Sequence, residues 1–313
     1  MQPAFSVIFF TTLIGSAQGL FLALYGTELV GLGGLAQADS QRFLVNGSAV
    51  ALVLSALGLV ASFFHLGHPE RAWRSAAMWR TSWLSREVIA LPVFMLGVFL
   101  YASAHFLGWS NTHLLGAATA LACLALFVCT AMIYASVRFL QEWASPLTLV
   151  NYLLLGSASG LMLATLLAAL SGMSALVQPY ALATTALTLL AWVTRSASLH
   201  RNARLKPKST LQSAIGIKHP HIIQKAQGFM GGSFNTREFF HGRSQELLLT
   251  VKWGFLLLAF PMPLLLMALG VIAASKEMLL IAFVTQYFGM LAERWFFFVQ
   301  ANHPQNLYYQ NIS

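Results

Sequence analysis

Residues 114–139 read LLGAATALACLALFVCTAMIYASVRF, with no charged side chain before Arg138. A hydrocarbon core of about 30 Å is crossed by about 20 mostly apolar residues in a helix, and this stretch has that length. It is apolar on every side, which places a helix in a membrane or a deep core rather than on a wet surface. Seven other segments read the same way, at approximately 5–34, 48–66, 86–108, 147–170, 178–196, 248–273 and 278–300. The expected fold is therefore all-α. It is an integral membrane bundle of eight transmembrane helices, a single domain over residues 1–313, with antiparallel neighbours joined by mostly short connections. The exception is a polar insertion at about 197–247, a long loop between helices 6 and 7.

Composition agrees. Of 313 residues 58% are hydrophobic and only 9% charged, and the mean hydropathy is +0.69. A soluble domain carries about 25% charged residues, so a water-soluble enzyme is excluded. The net charge of +9 would point to nucleic acid in a polar chain. In a chain this apolar it marks cytoplasmic loops instead, and no nucleic-acid partner is expected. The basic residues gather in the 67–85 connection and the 197–247 insertion, with Arg138 and Arg195 on the same side. That asymmetry predicts both termini and the 6–7 loop in the cytoplasm. The first apolar stretch is too long for a signal-peptide core and no Lys or Arg precedes Arg42, so insertion rather than cleavage is expected. Cys123 and Cys129, without a C-x-x-C pair, read as buried, inert thiols. Gly156 and Gly160 offer a small face for close helix contact, and Pro92, Pro261 and Pro263 are expected to kink their spans.

The chemistry concentrates between the second and third spans. His65-Leu-Gly-His68-Pro-Glu70-Arg71-Ala-Trp73-Arg74 is followed by Trp79-Arg80-Thr-Ser82-Trp83-Leu-Ser85-Arg86-Glu87. His65 closes one helix and Glu87 opens the next, so both lie at one membrane face and can approach each other. A histidine and a carboxylate at the edge of hydrocarbon suit quinone redox chemistry. That reaction moves two electrons and two protons, and its oxygens need donors and acceptors where the apolar tail enters lipid. Imidazole titrates near neutrality, and together the two groups can relay protons to cytoplasmic water. The same residues fit a plainer reading. Ser85 can cap the third helix with Glu87 complementing its dipole, and the tryptophans and arginines can form an ordinary interfacial belt.

HLGHPERAW followed by WRTSWLSRE resembles the membrane-anchor subunits of the dimethyl sulfoxide reductase family, which include the anchors of sulfite-oxidising (sulfite dehydrogenase) molybdoenzymes. The likeness covers the whole chain in span number and in this signature. It implies an anchor without redox metal of its own, in a bacterial inner membrane. The anchor holds a ferredoxin-like subunit with [4Fe–4S] clusters and, through it, a molybdopterin catalytic subunit. Electrons pass between that relay and ubiquinone or menaquinone. On the matching positions the resemblance implies that His65 and Glu87 serve the quinone, with His68, Arg71 and Arg74 in the same signature, and that Arg80 and Arg86 face the partner. The insertion, with Arg237, Phe239 and Phe240 in the run GFMGGSFNTREFFHG, is longer than in the compact reductase anchors. It looks like the anchors associated with sulfite oxidation and is a candidate platform for the iron–sulfur subunit; membrane lipid headgroups are the alternative occupant.

Other intramembrane polar residues read as structural: Glu28, His105 and the adjacent Glu293 and Arg294, which helical geometry turns about 100° apart, toward other helices rather than each other. No haem b is expected, since His105 and His113 are joined by one short turn, and His219-Pro-His221 lacks a third metal ligand. The alternatives to a sulfite-oxidising anchor are a dimethyl sulfoxide reductase anchor oxidising quinol, a purely structural anchor, and a secondary transporter, which would place paired broken helices and charge at the midplane.

Overall fold

The computed structural model describes residues 3–31, 37–208, 210–223, 225 and 243–303. The long helices are α1 (Phe5–Val30), α2 (Gln37–Phe63), α3 (Trp83–Phe106), α4 (His113–Ala135), α5 (Pro146–Leu170) and α6 (Ser174–Ala203). After the short α7 (Leu211–Ile215) come α8 (Gln245–Leu258), α9 (Pro261–Ile272) and α10 (Lys276–Val299). A 3-10 helix, Pro69–Met78, lies between α2 and α3. Their starts are written in the sequence. Ser82, Ser145, Ser244 and Ser275 accept from backbone amides at the heads of α3, α5, α8 and α10, giving partners to N–H groups that a helix start leaves free.

Helices α1 and α5 form the centre of the bundle, each far more enclosed than the other spans. Glycine brings them together. A Cβ on Gly19 would lie 2.3 Å from the Gly156 carbonyl oxygen, and one on Gly160 would lie 2.1 Å from the Gly19 carbonyl carbon. The two backbones touch, as the Gly156–Gly160 spacing suggested. Side-chain hydroxyls staple the same contact, with Ser16 and Ser159 2.7 Å apart. Around this centre the core is aromatic and aliphatic, with Phe21, Phe94 and Tyr101 edge to face.

Among the described residues, seven helical stretches are long and apolar enough to cross a membrane, α8 and α9 together making the seventh. Helix α10 has the length but carries Gln286, Glu293 and Arg294 inside it, and the eighth expected span is not among the seven. The 248–273 segment is broken rather than kinked. Helix α8 ends at Leu258 and Pro261 opens α9, where its missing N–H costs nothing. The break packs on α10: a Cβ at Gly289 would sit 2.3 Å from the Ala259 nitrogen. Pro92 stays inside a continuous α3. Helix α6 runs on to Ala203, so the insertion begins later than its composition suggested.

Candidate functional site

Alternating helices bring the carboxyl ends of α2, α4, α6 and α10 to the same end of the bundle as the amino ends of α1, α3, α5 and α8. His65 and Glu87 both belong to this end, as expected, but they are not partners. Among the described residues no hydrogen bond or ion pair joins them. Helix α2 stops at Phe63, which leaves His65 in the following turn with its side chain exposed. Partial desolvation there holds its imidazole below the usual histidine range. A groove of about 350 Å³ lies beside it between α1 and α2, lined by Ser6, Phe9, Leu57, Val60, Ala61 and Phe64.

Glu87 points the other way. It is 5% exposed and accepts a hydrogen bond from the Thr130 hydroxyl of α4. The helix cap is Ser82, not Ser85, whose amide donates to Ser82 Oγ. Glu87 lies a full turn inside the helix and is not a simple first-turn acid.

The rest of the signature lies on the surface. His68 Nδ1 is 3.0 Å from Glu70, and Arg71 Nε is 3.7 Å from the same carboxylate. Arg74 and Arg80 lie over their own neighbours, Trp73 and Trp79. Arg86 stacks on Trp83 at 4.2 Å and donates to the carbonyls of Trp79 and Arg80. It clamps the approach to α3. With Trp73, Met78 and Trp79 exposed, the segment presents cations among large apolar side chains. Arg237, Phe239 and Phe240 lie outside the described residues.

Behind Glu87 the bundle holds a polar interior that no local motif announces. Two small cavities, each of about 10 Å³, meet at Tyr152 and Arg294. The inner one is lined by Thr130, Gln18 and Gly156 among others; the outer one by Glu142, Asn151, Arg195, Ser198, Arg201 and Glu293. Arg195 is not a loop cation. It is 2% exposed and its Nε lies 2.7 Å from Glu293 Oε1. A charge on a span must find a counter-ion when it turns inward, and the loop count had no way to see that turn. Arg294 lies 3.8 Å over the Tyr152 ring. Both members of the Glu293-Arg294 pair therefore engage other helices, but contrary to expectation they also meet each other, Arg294 Nε lying 3.8 Å from Glu293 Oε2.

At the opposite end, Glu28 accepts from Tyr101 at 2.6 Å and from Thr112, with His105 and His113 at 3.6 and 3.8 Å. Cys123 and Cys129 are buried and unbridged. Among the described residues no group of three or more His, Cys, Asp or Glu is placed to hold a metal.

Apolar helices around a buried acid and ion pair, with an aromatic and cationic rim at one end, define a polytopic helical membrane protein. Residues 1–299 match the family described as DMSO reductase anchor subunit (DmsC), and the chain belongs to that family. It is 54% identical to the C subunit of sulfite dehydrogenase from Allochromatium vinosum over 326 aligned positions, covering 100% of both chains.

Proposed function

We propose that this chain is the quinone-reactive anchor of a molybdopterin and iron–sulfur oxidoreductase, passing electrons from sulfite oxidation to the quinone pool. The observation that carries the reading is Glu87, a carboxylate enclosed within the spans at the same end as His65 and the Trp–Arg rim. A buried intramembrane acid is costly and serves proton or ligand chemistry. The sulfite direction draws its support from the full-length likeness to a sulfite dehydrogenase subunit.

The geometry divides the labour. The α1–α2 groove is apolar, about 350 Å³, and ends at Phe64 beside His65. That volume suits a ring with the start of an isoprenoid tail, and the hydrogen bond to a quinone oxygen is assigned to His65, next in sequence to the groove residue Phe64. The cavity lined by Thr130, the hydrogen-bond partner of Glu87, is water-sized, which supports a proton-handling role for Glu87. His68 and Arg71, already engaged with Glu70, hold the turn in shape. Trp73, Arg74, Trp79 and Arg80 face outward as the contact for a ferredoxin-like subunit or for lipid headgroups, and that subunit in turn carries the molybdopterin subunit.

Helix α10 is the eighth span in this reading. Inside the bundle Glu293 pairs with Arg195 and lies 3.8 Å from Arg294, whose guanidinium covers the Tyr152 ring, which lets a helix of lower hydropathy cross. Eight spans, with the basic rim inward, put both termini in the cytoplasm of a bacterial inner membrane.

The test is purification in mild detergent on a carboxyl-terminal tag, with iron and molybdenum quantified. Both metals and two co-purifying soluble subunits support the anchor reading. A metal-free single polypeptide from several detergents overturns it.

A further inference from the structure

The outer cavity is lined by six residues with buried polar atoms short of full hydrogen bonding: Glu142 Oε2, Asn151 Oδ1, Arg195 Nη2, the Glu293 Oε2 and Arg294 Nε that face each other at 3.8 Å, and a Tyr152 Oη that interacts with Tyr134 and Arg294. Buried polar groups are almost always satisfied, and a site with several such atoms and room for one probe sphere is where a protein keeps an internal water. A volume of about 10 Å³ meets that requirement in each cavity. Tyr152 and Arg294 line both, so these two side chains are shared between the two water positions. On the inner side the chain continues through Thr130, which lines the first cavity and donates to Glu87. On the outer side it reaches Glu142, half-buried and bonded to the exposed Asn302 at 3.2 Å.

We infer that Tyr152 and the waters of these two cavities form a proton path from the Glu142 rim to Glu87. The inference deepens the quinone reading and rests on it. In the proposed direction, two electrons arrive from the iron–sulfur partner and two protons from water at the rim. Each proton enters at Glu142, is passed between water and the Tyr152 hydroxyl and crosses Thr130 to Glu87, the last protein carrier on the path; two such protons and the two electrons convert quinone to quinol and nothing else is consumed. Quinol oxidation runs the same steps backward. Arg195 and Arg294 keep their protons and act as fixed charges that hold the waters oriented.

The test uses the intact complex with a short-tail quinone, measured in H2O and D2O, beside a binding titration with a quinone-analogue inhibitor. Tyr152→Phe keeps the ring under Arg294 and removes only Oη. It is expected to slow turnover by about tenfold or more, as loss of a positioned proton carrier does. The solvent isotope effect should rise while analogue affinity stays within about twofold. Thr130→Val should do the same, and Glu142→Gln, on the rim, gives a third variant independent of core packing. Wild-type turnover and isotope effect in all three overturn the path. Glu87→Gln separates the two proposals. If it abolishes turnover while the three variants do not, the path alone is wrong. If Glu87→Gln is also silent, the quinone assignment fails with it.

Discussion

The Thr130 hydroxyl donates to the Glu87 carboxylate across the α3–α4 contact, where the two residues are 7% and 5% exposed. A buried carboxylate with a single hydroxyl donor is costly within a span and marks a candidate for proton or ligand chemistry. Glu87→Gln keeps shape and removes the proton-carrying group. Quinone turnover is expected to fall by about two orders of magnitude, with metal content and subunit stoichiometry of the purified complex unchanged. Turnover at the wild-type level in that variant would remove Glu87 from the mechanism.

His65 is expected to act differently, because it is exposed in the turn after α2, next to Phe64 of the groove, whereas Glu87 is buried. His65→Ala should weaken binding of a quinone analogue by about tenfold, the loss of one hydrogen bond to a polar ligand atom. The deep variants Tyr152→Phe and Thr130→Val should leave that affinity alone. Fluorescence or calorimetric titration of the complex measures the contrast, and equal affinities for wild type and His65→Ala would move the ring elsewhere.

The Arg195–Glu293 pair is 2% and 1% exposed. Removing one partner of such a pair strands the other charge, at a cost of about 3–5 kcal/mol. Glu293→Ala should therefore lower the unfolding temperature of the complex and its yield. The double variant Arg195→Met with Glu293→Leu should recover part of that loss, since one of the two arginines sharing Glu293 is then replaced by an apolar residue while Arg294 keeps only the Tyr152 ring. Thermal unfolding followed by light scattering distinguishes the two; an equally unstable double variant would argue that the pair holds waters the fold itself needs.

Glycine substitutions give the cleanest packing contrast. A Cβ at Gly160 meets backbone atoms of Gly19 and Leu20 at 2.1 Å, whereas one at Gly26 meets nothing within 4 Å. Gly160→Ala must push α1 from α5 and is expected to cost about 1–3 kcal/mol. Gly26→Ala should be neutral or slightly stabilising. Detergent-stability assays on the two variants check this, and comparable behaviour would mean that α1 and α5 approach less closely.

The contrast between what the sequence announced and what it concealed follows the range of the signal. Hydropathy summed over twenty residues located the spans, because burial in lipid acts on every residue of a helix at once. The 278–300 segment reads as a span as well, but α10 is not among the seven stretches apolar enough to cross, because Gln286, Glu293 and Arg294 lower its mean. The His65 and Glu87 positions were legible as residue types at helix ends, and their common end followed from helix alternation. Their lack of contact was not legible, since the direction of each side chain depends on helix rotation. Thr130, Tyr152 and Arg195 were overlooked as site residues for a related reason. A threonine or tyrosine in an apolar helix is ordinary, and Arg195 sat close enough to a span end to pass as a loop charge. An arginine falling inside the 178–196 segment was the one signal that could have exposed the buried pair.

The direction of the proton path makes a final claim about energy coupling. Glu142, Asn302 and the Trp–Arg rim all lie at the end that carries His65, and the Glu28 cluster at the other end is joined to helices α3 and α4 by its own bonds to Tyr101 and Thr112. On the proposed path, protons for quinone reduction come from the side on which the proposed partner docks, and no net charge is expected to cross the bilayer. Complex reconstituted in sealed proteoliposomes with a potential-sensitive dye is expected to turn over without building a membrane potential, and an uncoupler should leave its rate unchanged. A potential that forms with turnover and collapses with the uncoupler would require a second proton route from the Glu28 end. In that case Glu28→Gln should abolish the potential while sparing turnover.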